Sequence, residues 1–78
     1  MGELETVLQT LDEHVASNPT LAKQLANKII PDLKHAKKYS SVVSHLTEMI
    51  RIIDGKASGN VKTEAHRAYG AFLSANVV

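Results

Sequence analysis

Four histidines, His14, His35, His45 and His66, are the side chains best suited to chemistry in this chain. A neutral imidazole can ligate a metal or move a proton near neutral pH. The four lie on separate segments, so only a folded bundle could gather them. Metal-binding bundles use Glu-x-x-His pairs joined by further inward carboxylates. The nearest match here, His45 with Glu48, runs in the opposite order and occurs once. With no cysteine there is no thiolate ligand and no disulfide. The pattern therefore predicts no metal and no cofactor, with the imidazoles scattered over surface and half-buried positions.

His35 opens the stretch HAKKYSS, which loosely resembles the histidine-phosphotransfer motif. It departs from that motif in two places: Lys37 stands where the motif has leucine, and no glycine follows Lys38. Only 34 residues precede His35, little room for the scaffold such a site needs. Nucleophilic triads, phosphate-cradling glycine loops and carboxylate pairs on one face are absent, so the sequence predicts a protein that is not an enzyme.

The strongest surface signal is basic. Lys34, Lys37 and Lys38 cluster at the end of the second helical segment, where the helix dipole alone favours cations. A nucleic-acid reader would bring a higher pI, more arginine and an exposed recognition helix. Two arginines and a pI of about 8.1 disfavour nucleic acid, and an acidic lipid headgroup or acidic protein loop fits the patch equally well. Residues 1–20 hold Glu3, Glu5, Asp12 and Glu13 without a Lys or Arg, whereas residues 21–40 hold five lysines against Asp32. Opposite fields of this kind would favour antiparallel pairing of the first two helices.

The elements that must position these groups are helical. Val42, Val43, Leu46, Met49, Ile50 and Ile53 recur with a period near 3.6, the clearest amphipathic stripe in the chain. Leu4, Val7, Leu8, Leu11 and Val15 predict a first helix from Glu3 to Ala16. Asn18 and Pro19 supply a cap and first position for the second. That helix carries Leu21, Ala22, Leu25, Ala26, Ile29 and Ile30. Leu33 and Ala36 keep its phase past Pro31, which predicts a kinked helix reaching Lys38. Ser40 or Ser41 is expected to cap the third helix, and Asp54-Gly55 to end it near Ile53. After the small, polar loop DGKASGN, Thr63 is expected to cap a fourth helix with Ala65, Ala68, Tyr69, Phe72 and Leu73 on its apolar side. Gly70 within it suggests a close helix contact, and Ala75 to Val78 a frayed tail. The fold class is all-α, an antiparallel four-helix bundle with a kinked second helix and one domain over residues 1–78.

A 78-residue domain removes only roughly 60–65% of its unfolded surface from water, so its stability is expected to be modest. The N-terminal stretch is acidic where a secretory signal is basic, and no apolar run approaches the roughly 18–20 residues of a membrane span. These features predict a cytoplasmic protein, at most peripheral at the inner face of a membrane. Gly2 with Thr6 meets the spacing of an N-myristoylation signal. Glu3 and Glu5 would repel an anionic membrane, and a helix start accounts for the same residues.

The order of features resembles that of the small immunity proteins against pediocin-like bacteriocins, the enterocin-A-immunity type. The resemblance runs through SNPTLAKQL, LKHAKKY, VVSHLTEMIRII and EAHRAYGAF. It implies a cytosolic four-helix bundle that recognises a membrane receptor, the mannose phosphotransferase permease with bound bacteriocin, and blocks the lethal pore. In that family the C-terminal half discriminates between bacteriocins. Carried over, this implies partner-binding roles for Lys56 and Lys62 in the loop, Arg67, Tyr69 and Phe72 on the fourth helix, and Val77 and Val78 in the tail, beside Lys34, Lys37 and Lys38. The alternative is a small regulatory or assembly adaptor that forms a homodimer through its third and fourth helices, or a nucleic-acid-binding domain using the lysine cluster.

Overall fold

The computed structural model describes residues 2–77, a bundle of four helices measuring 35 × 19 × 19 Å. They are α1 (Glu3–His14), α2 (Pro19–Leu33), α3 (Ser40–Ile53) and α4 (Val61–Ala75), with a 3₁₀ turn at Lys37–Tyr39 leading into α3. Short connections join α1 to α2, α2 to α3 and α3 to α4, and α4 closes the ring against α1. The bundle is all-α as its periodicity predicts, and no strand occurs among the described residues. No described helix is long and apolar enough to cross a membrane.

The expected stripes meet inside. Leu8, Leu11 and Val15 of the α1 segment, Ala22, Ala26, Ile29 and Leu33 of α2, Val42, Leu46 and Met49 of α3, and Ala65, Ala68 and Phe72 of α4 form one buried cluster. Alanines from α2 and α4 share this core with leucines and Met49 from α1 and α3, so large side chains fill the space that small ones leave. The stripe's outer members, Val43, Ile50 and Ile53, are half-buried against that core. Leu73, expected on the apolar side of α4, is instead 41% exposed.

Four helix boundaries differ from expectation, the start of α4 among them. α1 ends at His14 rather than Ala16. In α2, Pro31 is accommodated, but only Asp32 and Leu33 continue the helix beyond it. The chain then tightens through Lys34, His35 and Ala36, whose amides bond to Ile30, Asp32 and Leu33, and Ala36 is extended at φ −129°, ψ 127°. Lys37 and Lys38 therefore belong to the 3₁₀ turn and not to α2. That turn runs directly into α3, and the Ser40 amide bonds to the Lys37 carbonyl. Neither Ser40 nor Ser41 acts as the side-chain cap, because both already lie within the helix.

Two side-chain caps are asparagines. Asn18 accepts from the Leu21 amide at 3.1 Å, with Pro19 first in α2, as the sequence predicts. Asn60 accepts from the Thr63 amide at 3.1 Å, so Asn60 and not Thr63 caps α4. At the end of α3, Gly55 adopts φ +76°. Its amide reaches the Ile52 carbonyl while that of Lys56 reaches Arg51, which is a Schellman closure of the helix. Gly59, at φ +150°, lies so near Ile52 that a Cβ would come within 2.9 Å of its Cδ1. Gly70 contrasts with both. A Cβ there would meet nothing within 4 Å, so no close helix contact explains it.

Candidate functional site

The residues singled out from the sequence are not gathered into one site. One end brings together the start of α1, the 3₁₀ turn and the last turn of α4. Here the rings of Tyr39 and Phe72 stack, with centroids 5.1 Å apart and planes 16° from parallel. Asn76 fastens the arrangement: its Oδ1 accepts from both the Tyr39 hydroxyl and the Lys38 ammonium at 3.1 Å, and its Nδ2 donates to the Phe72 carbonyl at 2.9 Å. The Lys38 ammonium also lies 5.1 Å from the Tyr39 ring centroid, a cation–π contact. Phe72 is thus core rather than a reaching aromatic, and Lys38 is held in place.

Beside this assembly runs an open cleft of about 500 Å³, lined by Gly2, Glu3, Leu4, Glu5, Tyr39, Phe72, Leu73 and Asn76. Leu73 and Val77, 41% and 76% exposed, are the large apolar side chains left in solvent among the described residues, and both belong to the C-terminal end of the chain. Val78 lies outside the described residues.

The opposite end contains an ion-pair cluster that the sequence reading missed. Asp12 is buried, its carboxylate 11% exposed. Its Oδ1 stands 2.9 Å from the Lys62 ammonium, outside hydrogen-bond geometry, while that ammonium donates to the Asp12 carbonyl at 2.6 Å. His66 Nδ1 lies 3.2 Å from Oδ2. Lys62, expected in the loop, is in the first turn of α4 and holds that helix to α1. The opposite charges of α1 and α2 were expected to pair those two helices, yet Asp12 pairs with α4. Position decides this: Leu8, Leu11, Asp12 and Val15 share one helical face, so the carboxylate is carried inward with the leucines.

A second missed acid behaves alike. Glu64 falls on the face of α4 that carries Val61, Ala65 and Ala68, and its Oε1 lies 2.8 Å from His45 Nδ1 of α3. Its Oε2 is 3.7 Å from Arg67. The partner of His45 is therefore Glu64, whereas Glu48 pairs with Arg51 at 3.2 Å. A charged residue at i+3 or i+4 within an apolar stripe was the signal available for both acids. Lys23 to Asp54, at 2.6 Å, joins α2 to the end of α3.

The histidines stay apart. His14 Nδ1 meets the Thr10 carbonyl of its own helix at 2.8 Å, His45 and His66 meet different carboxylates, and His35 is exposed. Among the described residues no group of three or more His, Cys, Asp or Glu could hold a metal ion. Tyr69 is half-buried against the core, Lys56 is exposed, and Arg67, also exposed, is tethered to Glu64. Lys34 and Lys37 are exposed, and no ion pair or side-chain hydrogen bond within the described residues engages either. No protein-family model, curated protein or solved structure matches the chain. The fold and surface define a four-helix bundle with two large apolar side chains exposed near the C-terminal end of α4.

Proposed function

We propose that this chain is a non-catalytic binding module of the bacteriocin-immunity type. It would act from the cytoplasm, at the inner face of the membrane, on a receptor permease already engaged by bacteriocin, and would protect the cell by occluding the pore. The observation that carries this reading is the placement of Leu73, exposed in the lining of the open cleft, with Val77 exposed just past the end of α4. The resemblance in sequence assigns discrimination to that same half of the chain. Solvent-exposed apolar side chains next to a concave surface are what a partner would cover.

The test is expression in a strain sensitive to pediocin-like peptides. Protection is expected with the native chain and its loss with Leu73→Ser, the folded state being checked by circular dichroism. Unchanged killing by a broad panel of such peptides overturns the reading. The same two exposed side chains would also suit self-association, the adaptor alternative, although most of the α3 stripe is covered by its own bundle. A melting temperature that rises with protein concentration would favour the dimer.

A further inference from the structure

We infer that the notch between the end of α2, the 3₁₀ turn and the start of α3 docks an acidic peptide segment through one large apolar side chain. The notch has a volume of about 250 Å³ and is lined by Leu33, Lys34, Ala36, Lys37, Ser40 and Val43. It exists because the helix stops at Leu33 and Ala36 turns extended before the 3₁₀ turn begins. Ala36 and Val43 are half-buried there, with buried Leu33 behind them. The space is smaller than the roughly 300–1,000 Å³ of a small-molecule site and matches a single anchoring side chain.

Charge selects the occupant. Lys34 and Lys37 flank the notch, and no acid is among its lining residues. Asp32, the nearest acid in sequence, lines a different cavity with Glu3 and Lys28. The dipole of α2 accounts for a cation at Lys34, its C-cap, but Lys37 lies further beyond the helix and outside that explanation. Lys38 is tied to Asn76 and Tyr39, while Lys34 and Lys37 are exposed to solvent. A carboxylate on either side of an apolar anchor would meet both. A membrane fits less well, since insertion needs protruding apolar side chains and here the apolar atoms line a recess. The notch opens at the same end of the bundle as Leu73 but shares no lining residue with the cleft there, and it is argued from its own residues, so the proposal does not rest on the immunity reading.

The probe is a fluorescein-labelled peptide with one phenylalanine flanked by glutamates, titrated with the full chain and followed by anisotropy. Lys34→Glu combined with Lys37→Glu is expected to weaken binding by about tenfold or more. Replacing the phenylalanine of the peptide by serine should weaken it by about tenfold as well. The charge-matched control, Lys28→Glu with Lys56→Glu, should retain most of the affinity, because neither residue lines the notch. In ¹⁵N spectra the shifted amides should cluster at Lys34, Ala36, Lys37, Ser40 and Val43. Equal weakening by the control pair, indifference to the phenylalanine, or shifts centred on α4 would each overturn the proposal. So would binding to phosphatidylserine vesicles without binding to the peptide, which reassigns the lysines to a lipid surface.

Discussion

Lys62→Met removes the cation facing the buried Asp12 carboxylate while keeping most of the aliphatic stem. The native pair spans α1 and α4, with the carboxylate 11% and the ammonium side chain 49% exposed. Breaking a fully buried pair costs about 3–5 kcal/mol, and the half-exposed lysine lowers that figure here. The loss also strips the Asp12 carbonyl of its donor, and a hydrogen bond to a charged group contributes about 1.5–3 kcal/mol. Together these place the expected destabilisation at about 2 kcal/mol. For a domain of this size each kcal/mol shifts the melting temperature by about 4–8 °C, so the transition should fall by roughly 8–16 °C. Asp12→Ala removes the carboxylate that needs compensation, and the double variant should lose less than the two single variants added together. Thermal melts by circular dichroism, arranged as a double-mutant cycle, measure the coupling, expected at about 1–2 kcal/mol. Strict additivity, or a Lys62→Met melt indistinguishable from the native one, would show that Lys62 is a solvated surface charge and that α4 is not held to α1 in this way.

Gly70→Ala should stabilise the protein by about 1 kcal/mol, because α4 gains helix propensity and the new methyl group meets no neighbour. Gly55→Ala should destabilise it by about 1–2 kcal/mol, since the Schellman closure needs positive φ there; urea melts compare the two, and equal signs would contradict the reasoning. Asn60→Ala should cost about 1 kcal/mol and Thr63→Ala far less, the reverse of what a threonine cap would give. Phe72→Ala, which removes the ring stacked on Tyr39 and opens the core, should cost about 3–5 kcal/mol, enough to unfold much of a small domain at ambient temperature; cooperative melting near the native temperature would refute its placement.

Much of the fold was legible because helix faces repeat along the chain. The stripe from Val42 to Ile53 is visible without coordinates, as are the Asn18-Pro19 start and the Gly55 stop, since each depends on residues within one or two turns. The candidate sites were far less legible. Lys62, Arg67 and Lys38 look alike in sequence as exposed cations, yet Lys62 anchors a buried carboxylate, Arg67 rests on Glu64, and Lys38 is gripped by Asn76. Their partners lie 50, 3 and 38 residues away respectively, and only the short separation could be read locally. Pro31 misled for a related reason. Leu33 and Ala36 keep helical phase on paper, but phase alone does not show where the backbone turns extended.

Taken alone, the sequence determined that this protein is built of amphipathic helices, where two of its three chain reversals fall and which side chains make up most of the core, because periodicity and turn chemistry act over a few residues. The tertiary structure alone decided that Asp12 and Glu64 are inward acids with partners on other helices, that Leu73 is left in solvent, and that the end of α2 opens a lysine-flanked notch. Those outcomes depend on how four rods are rotated about their own axes and set against one another. A rotation that carries Leu8 and Leu11 inward carries Asp12 with them, and the cation that compensates it must come from whichever helix that packing brings near.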